Sequence, residues 1–119
     1  MDNKPKITLI GVYNYKVEFE EVGISFLASY LRKYGYSVQL LSKSLDELDI
    51  NSIVNFSPDI VGFTCYYNNM DAINKVNNEL KEKMPELVTV AGGTHATFIP
   101  EDVLTKIKNL NVVIRGEGE

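Results

Sequence analysis

Short apolar runs alternate with stretches of helical periodicity along the whole chain. Lys6 to Tyr13 ("KITLIGVY") is rich in β-branched residues and predicts a buried strand. From Glu20 to Tyr34, Gly23, Phe26, Leu27, Tyr30, Leu31 and Tyr34 recur at three and four spacings, predicting a helix that Gly35 terminates. Tyr36 to Ser42 ("YSVQLLS") predicts a second strand. A helix is expected around Leu45 to Asn55, with Leu45, Leu48 and Ile53 facing inward. It must stop before Pro58, because the residue ahead of a proline is pushed out of the helical region.

The alternation then repeats. Asp59 to Tyr67 ("DIVGFTCYY") predicts a third strand, and Ile73, Val76, Leu80 and Met84 mark a helix closed by Pro85. Leu87 to Gly93 ("LVTVAGG") predicts a fourth strand. Pro100 suits a first helical position, with Glu101 and Asp102 favourable at the positive helix end. Asn111 to Gly116 ("NVVIRG") predicts a fifth.

Strands that alternate with helices through short connections imply an α/β domain with a parallel sheet covered on both faces. The right-handed crossover rule selects a doubly wound, three-layer sandwich, and five strands favour the flavodoxin-like order 2-1-3-4-5. Residues 1–119 are expected to form a single domain. The sequence shows no helix after the fifth strand, so a domain excised from a longer protein is expected.

Composition narrows the function classes. The chain is 45% hydrophobic and 24% charged, with a net charge of −4 and interspersed signs. No basic patch favours nucleic acid, and no apolar run is long enough for a membrane span. The polar N-terminus has no signal-peptide core, so a cytoplasmic location is expected. A single cysteine, Cys65, excludes an internal disulfide or a cysteine-held iron–sulfur cluster within these residues.

In open parallel sheets, ligands bind beyond the C-terminal strand ends, near the point where strand order reverses. Tyr13-Asn14-Tyr15, Thr64 to Asn68, Gly92-Gly93-Thr94-His95 and Arg115-Gly116-Glu117 stand at those ends. The loop after the first strand lacks the G-x-G-x-x-G of a dinucleotide site. Its Glu18, Glu20 and Glu21 argue against a phosphate. Tyr13, Asn14 and Tyr66 replace the acidic residues of a phosphate-accepting receiver. A nucleophilic Cys65 would have only His95 as its base, and a buried structural thiol is the commoner case.

A crevice rimmed by aromatics, hydroxyls and a glycine pair suits a large, flat, mostly uncharged ligand. Gly92 and Gly93 either allow close ligand approach or simply make a tight turn. His95 is either a loop residue or a pocket wall, and Tyr66 and Tyr67 are either ligand contacts or edge-of-core aromatics.

The residues also resemble a known family. "GGTHATFIPEDVL" followed by "VIRGEGE" is similar to the signature of the N-terminal cobalamin-binding domain of cobalamin-dependent radical S-adenosylmethionine (SAM) enzymes. "GISFLASYLRKYGYSV" and "SPDIVGFTCYYNN" look like the first helix, second strand and third strand of that family, so the resemblance spans nearly the whole chain. It implies a flavodoxin-like domain that holds base-off cobalamin, vitamin B12, at the C-terminal edge of the sheet. Carried over residue by residue, it points to Tyr13, Thr64, Cys65, Tyr66, Gly92, Gly93, His95, Thr97, Arg115, Gly116 and Glu117 as cofactor-binding residues. His95 is then a hydrogen-bonding pocket wall, with no cobalt ligand and no catalytic residue in the chain.

Two departures from the wider cobalamin pattern bear on this reading. The Asp-x-His-x-x-Gly that ligates cobalt in methionine-synthase-like domains is replaced by Tyr13-Asn14-Tyr15-Lys16-Val17-Glu18. The three cysteines of a radical SAM cluster are also absent from these residues. The resemblance therefore implies a module rather than an enzyme. The [4Fe–4S] cluster, SAM and the methyltransferase-like chemistry are expected in a C-terminal catalytic domain of the same polypeptide, the module's partner. The alternatives are a flavodoxin-like domain without cofactor, serving interaction or substrate gating in the same enzyme, and a stand-alone hydrolase using Cys65 and His95.

Overall fold

The structure is a computed structural model that describes residues 4–13, 22–66, 68–93 and 100–114. The order of elements is β1 (Ile7–Tyr13), α1 (Val22–Lys33), β2 (Val38–Ser44), α2 (Ile50–Phe56), β3 (Ile60–Thr64), α3 (Met70–Lys83), β4 (Val88–Gly92), α4 (Pro100–Lys106) and β5 (Val112–Val113). The strands form one parallel sheet in the order β2-β1-β3-β4-β5, as the alternation predicts.

The β-branched runs of β1, β3 and β4 take the centre of the sheet, where both faces can be buried. On one face Ile10, Val12, Val61, Phe63 and Ala91 pack against Ile53 of α2, Ile73, Val76 and Leu80 of α3, and Val103 of α4. On the other face Ile7 and Leu9 pack against Ala28, Leu27 and Leu31 of α1. The period-2 alternation of each strand sends successive side chains to these two layers.

Local chemistry sets the helix ends. Tyr36 N–H donates to Leu31 O and Gly35 N–H to Arg32 O, a Schellman arrangement that Gly35 permits with φ of 89°. The expected helix over Leu45 to Asn55 begins only at Ile50. Asp49 caps it by accepting from Asn51 N–H at 3.0 Å, and the residues from Leu45 to Glu47 form a turn. Leu45 and Leu48 still pack on the core, and Ile53 is fully buried. The helix ends at Phe56, ahead of Pro58, with Ser57 left-handed at φ 54°. β2 lies two residues later than expected, at Val38–Ser44.

The packing of α1 divides the periodic residues into two stripes. Of the periodic set, Leu27 and Leu31 do pack inward, together with Ile24 and Ala28. Phe26 (69% exposed), Tyr30 (51%) and Tyr34 (52%) instead form an outward stripe, with the Tyr30 and Tyr34 rings 5.0 Å apart. The helix is apolar around more than half its circumference, so spacing alone fits two neighbouring stripes. The smaller residue, Ala28, wins the sheet face because it permits close approach.

The two layers are unequal. Among the described residues, α1 packs on β1 and β2, while no helix covers the same face of β4 and β5. Val88 and Val112 are accordingly 40% and 45% exposed on this side. No helix among the described residues is long and apolar enough to cross a membrane.

Candidate functional site

The sheet opens at its C-terminal edge between β1 and β3. Their ladder is in register from Ile7↔Ile60 to Ile10↔Phe63 and stops there, although β1 runs on beside β2 to Tyr13↔Ser44. On the other side β3 stays with β4 through Thr64↔Gly92, and Cys65 N–H extends the pairing by donating to Gly92 O at 2.7 Å. The reversal of strand order and the end of the β1–β3 ladder therefore coincide. This is where the doubly wound fold places a crevice.

Tyr13 forms one wall. Its side chain folds back along β1 on the face that α1 covers, and it is 3% exposed. Gly11 makes that possible: a β-carbon there would meet the Tyr13 hydroxyl at 3.1 Å, Thr64 Cγ2 at 3.3 Å and Ile24 Cδ1 at 3.4 Å. Tyr66, half-buried beyond the end of β3, stacks against Tyr13 with centroids 6.5 Å apart and 20° between planes. The two aromatics face one another across the switch point.

Gly92 and Gly93 do different jobs. Gly93 has φ of 103°, and a β-carbon there would lie 3.0 Å from both Cys65 N and Cys65 O. It is a packing and turn device pressed on the end of β3. A β-carbon on Gly92 would have nothing within 4 Å. By the alternation of β4, Gly92 shares the side of Val88 and Val90, opposite to buried Thr89 and Ala91. Gly62 of β3 lies on the same side, but there the Leu9 side chain already fills the space, with Cδ2 3.1 Å from where a β-carbon would sit. Gly92 thus leaves a bare floor next to the uncovered face of β4 and β5.

Cys65 is buried in the opposite layer, against the core. Burial, reinforced by the Asp102 carboxylate, pushes its thiol up to about 11. A thiol held protonated at neutral pH is a poor nucleophile, which counts against the hydrolase alternative. No group of three metal-ligating side chains occurs among the described residues.

Of the residues predicted for the site, Tyr13, Thr64, Cys65, Tyr66, Gly92 and Gly93 gather at this edge, with Cys65 turned to the core. His95, Thr97, Arg115, Gly116 and Glu117 lie outside the described residues. Sequence reasoning missed two contributors: Gly11 and Asn69. Asn69 is fully buried at the start of α3, and its side chain reaches both strand ends. An asparagine directly before a helical run is a recognisable N-cap signal. Here, though, the side chain makes no capping bond and is used across the sheet.

Comparison with known proteins gives this edge a context. Residues 8–119 match the B12-binding domain family. The chain is 36% identical over 104 residues to the anaerobic magnesium-protoporphyrin IX monomethyl ester cyclase of Rubrivivax gelatinosus, covering 81% of this chain and 18% of that protein. It is 36% identical over 62 residues to the cobalamin-dependent radical SAM methyltransferase TokK of Streptomyces tokunonensis, covering 52% of this chain and 9% of the relative. The chain therefore spans less than a fifth of these relatives. A solved cobalamin-binding protein from Desulfitobacterium hafniense DCB-2 shares the fold, with a TM-score of 0.74 at 17% identity over 97% of this chain and 54% of the other. By a match that runs through nearly all of its length, this chain belongs to the B12-binding domain family.

Proposed function

We propose that the chain binds cobalamin in base-off form at the C-terminal edge of the sheet, as the cofactor module of a longer, cytoplasmic radical SAM enzyme. The observation that carries this reading is the bare floor at Gly92, where the adjoining sheet face is also open. Such a floor fits the flat, apolar part of a large ligand, since any side chain there would occupy the space. Gly92, Thr64 and the Tyr13–Tyr66 pair would hold the cofactor, with His95, Thr97, Arg115, Gly116 and Glu117 completing the wall.

The sequence offers no His-on ligation of cobalt from the segment after β1. The chain's one histidine is His95, so the segment after β1 has no imidazole to place under cobalt. Bound cobalamin supplies alkyl-transfer chemistry, while the chain's own residues bind and orient it. The [4Fe–4S] cluster and SAM belong, in this reading, to a catalytic domain of the same polypeptide. The relatives' much greater length supports such a partner.

The test is a titration of the chain with hydroxocobalamin and methylcobalamin, followed by visible spectra and backbone amide shifts. A base-off spectrum with shifts concentrated at Thr64 to Tyr66, Gly92 to Gly93 and His95 to Thr97 is expected. No spectral change and no shifts at high micromolar cobalamin would overturn the reading for this chain.

A further inference from the structure

We infer that Asn69 is a positioning residue that sets the width of the crevice between β1 and β3, an inference that rests on the cobalamin-binding reading above. Its side chain is fully buried in the gap that opens where the β1–β3 ladder ends. There Asn69 Nδ2 donates to Val12 O at 3.1 Å and to Thr64 O at 3.0 Å. These carbonyls belong to the two strands just past their last registered pair, Ile10↔Phe63. The carboxamide therefore replaces the missing rung of the ladder and holds the diverging strand ends at a fixed separation.

The same side chain also orients the rim. Asn69 Oδ1 accepts from Tyr66 N–H at 2.7 Å, while Asn69 O accepts from Ile73 N–H in the first turn of α3. One residue thus ties the backbone beneath Tyr13, the end of β3, the Tyr66 that stacks on Tyr13, and the start of α3. Asparagine suits the place because it offers two donors and an acceptor in one plane. Removing it would leave two buried carbonyls and a backbone N–H without these partners, which favours rearrangement of the strand ends.

The comparison that tests this uses Asn69→Ala, with Asn77→Ala as a control. Asn77 is equally buried further along α3 and bonds Lys108 O at 2.8 Å, away from the crevice. Hydroxocobalamin affinity and the NOE between the Tyr13 and Tyr66 rings in the ligand-free protein are measured for both. Asn69→Ala should weaken binding by about tenfold or more and abolish the ring NOE, while Asn77→Ala changes affinity by less than about twofold and keeps it. Equal affinity for Asn69→Ala and the unaltered chain, or equal weakening in both variants, overturns the inference.

If the unaltered chain binds no hydroxocobalamin, the proposed function fails. The ring NOE then decides the positioning role: lost in Asn69→Ala alone it stands, and kept in both variants it falls. Should Asn69→Ala not fold, Asn69→Asp takes its place in the same comparisons. It keeps the acceptor for Tyr66 N–H and removes both donors.

Discussion

The ring of Tyr13 stacks on the ring of Tyr66 with 6.5 Å between centroids and 20° between planes. The two residues lie far apart in sequence and meet because β1 and β3 are sheet neighbours whose ladder ends before either tyrosine. Gly11 gives the Tyr13 ring its room, and Asn69 holds the backbone N–H of Tyr66. The stack is therefore a property of the switch point and reports on its geometry.

Truncating the half-buried Tyr66 to alanine should leave folding cooperative and weaken cobalamin binding by roughly three- to tenfold, the usual scale of one aromatic contact. Spectral titration alongside a thermal melt checks both halves. Unchanged affinity would remove Tyr66 from the site.

Gly92 and Gly93 separate ligand approach from turn geometry. Gly93→Val should cost about 1–3 kcal/mol or more in stability, because a positive φ and a clash with Cys65 backbone coincide there. Gly92→Val should largely preserve the melting temperature, since a β-carbon there meets nothing within 4 Å. It should nevertheless reduce cobalamin affinity at least about tenfold if this floor carries the ligand. Gly92→Val that binds normally would place the ligand elsewhere.

The Cys65 thiol should resist modification. With its value raised from 9.0 to about 11 by burial and Asp102, iodoacetamide should react at pH 8 far more slowly than with the unfolded chain. Between pH 9 and 11 the folded chain keeps a proton that the unfolded chain releases. This group's contribution to stability is thus intact below pH 9 and falls as pH rises through that window. Alkylation rates and melts across pH 7 to 11 check both; fast labelling at pH 8 in the folded state would contradict the burial argument.

Asp49 should show the value of a single cap. Asp49→Ala removes the acceptor for Asn51 N–H and is expected to destabilise the chain by about 1 kcal/mol, with no effect on ligand affinity. Urea denaturation measures the first and spectral titration the second.

The two stripes of α1 differ in their tolerance. Phe26→Ser, on the exposed stripe, should change stability by no more than about 0.5 kcal/mol. Ala28→Leu, beneath the helix against β1 and β2, should cost about 1–3 kcal/mol through overpacking. Denaturant midpoints compare them directly, and the reverse ranking would contradict the inward placement of Ala28.

The sequence by itself determined the alternation of strands and helices, the parallel sheet and its order, because burial on both faces demands continuous apolar strands and crossover handedness leaves few topologies. It also placed Tyr13, Thr64 to Tyr66 and the glycine pair at one edge, since strand ends follow directly from where apolar runs stop. Helix boundaries near Leu45 were less legible. Ser44 is as good a capping residue type as Asp49, but it ends β2, and the helix starts from Asp49 instead.

Tertiary structure alone decided which stripe of α1 turned inward, because Phe26–Tyr30–Tyr34 and Leu27–Ala28–Leu31 lie on adjoining parts of one broad apolar surface and both fit helical spacing. It also divided the glycine pair into one residue pinned on Cys65 and one over open space. The role of Asn69 emerged in the same way. A carboxamide can cap its own helix or bridge two strands, and the choice depends on carbonyls that sequence distance conceals and the sheet brings within 3.1 Å.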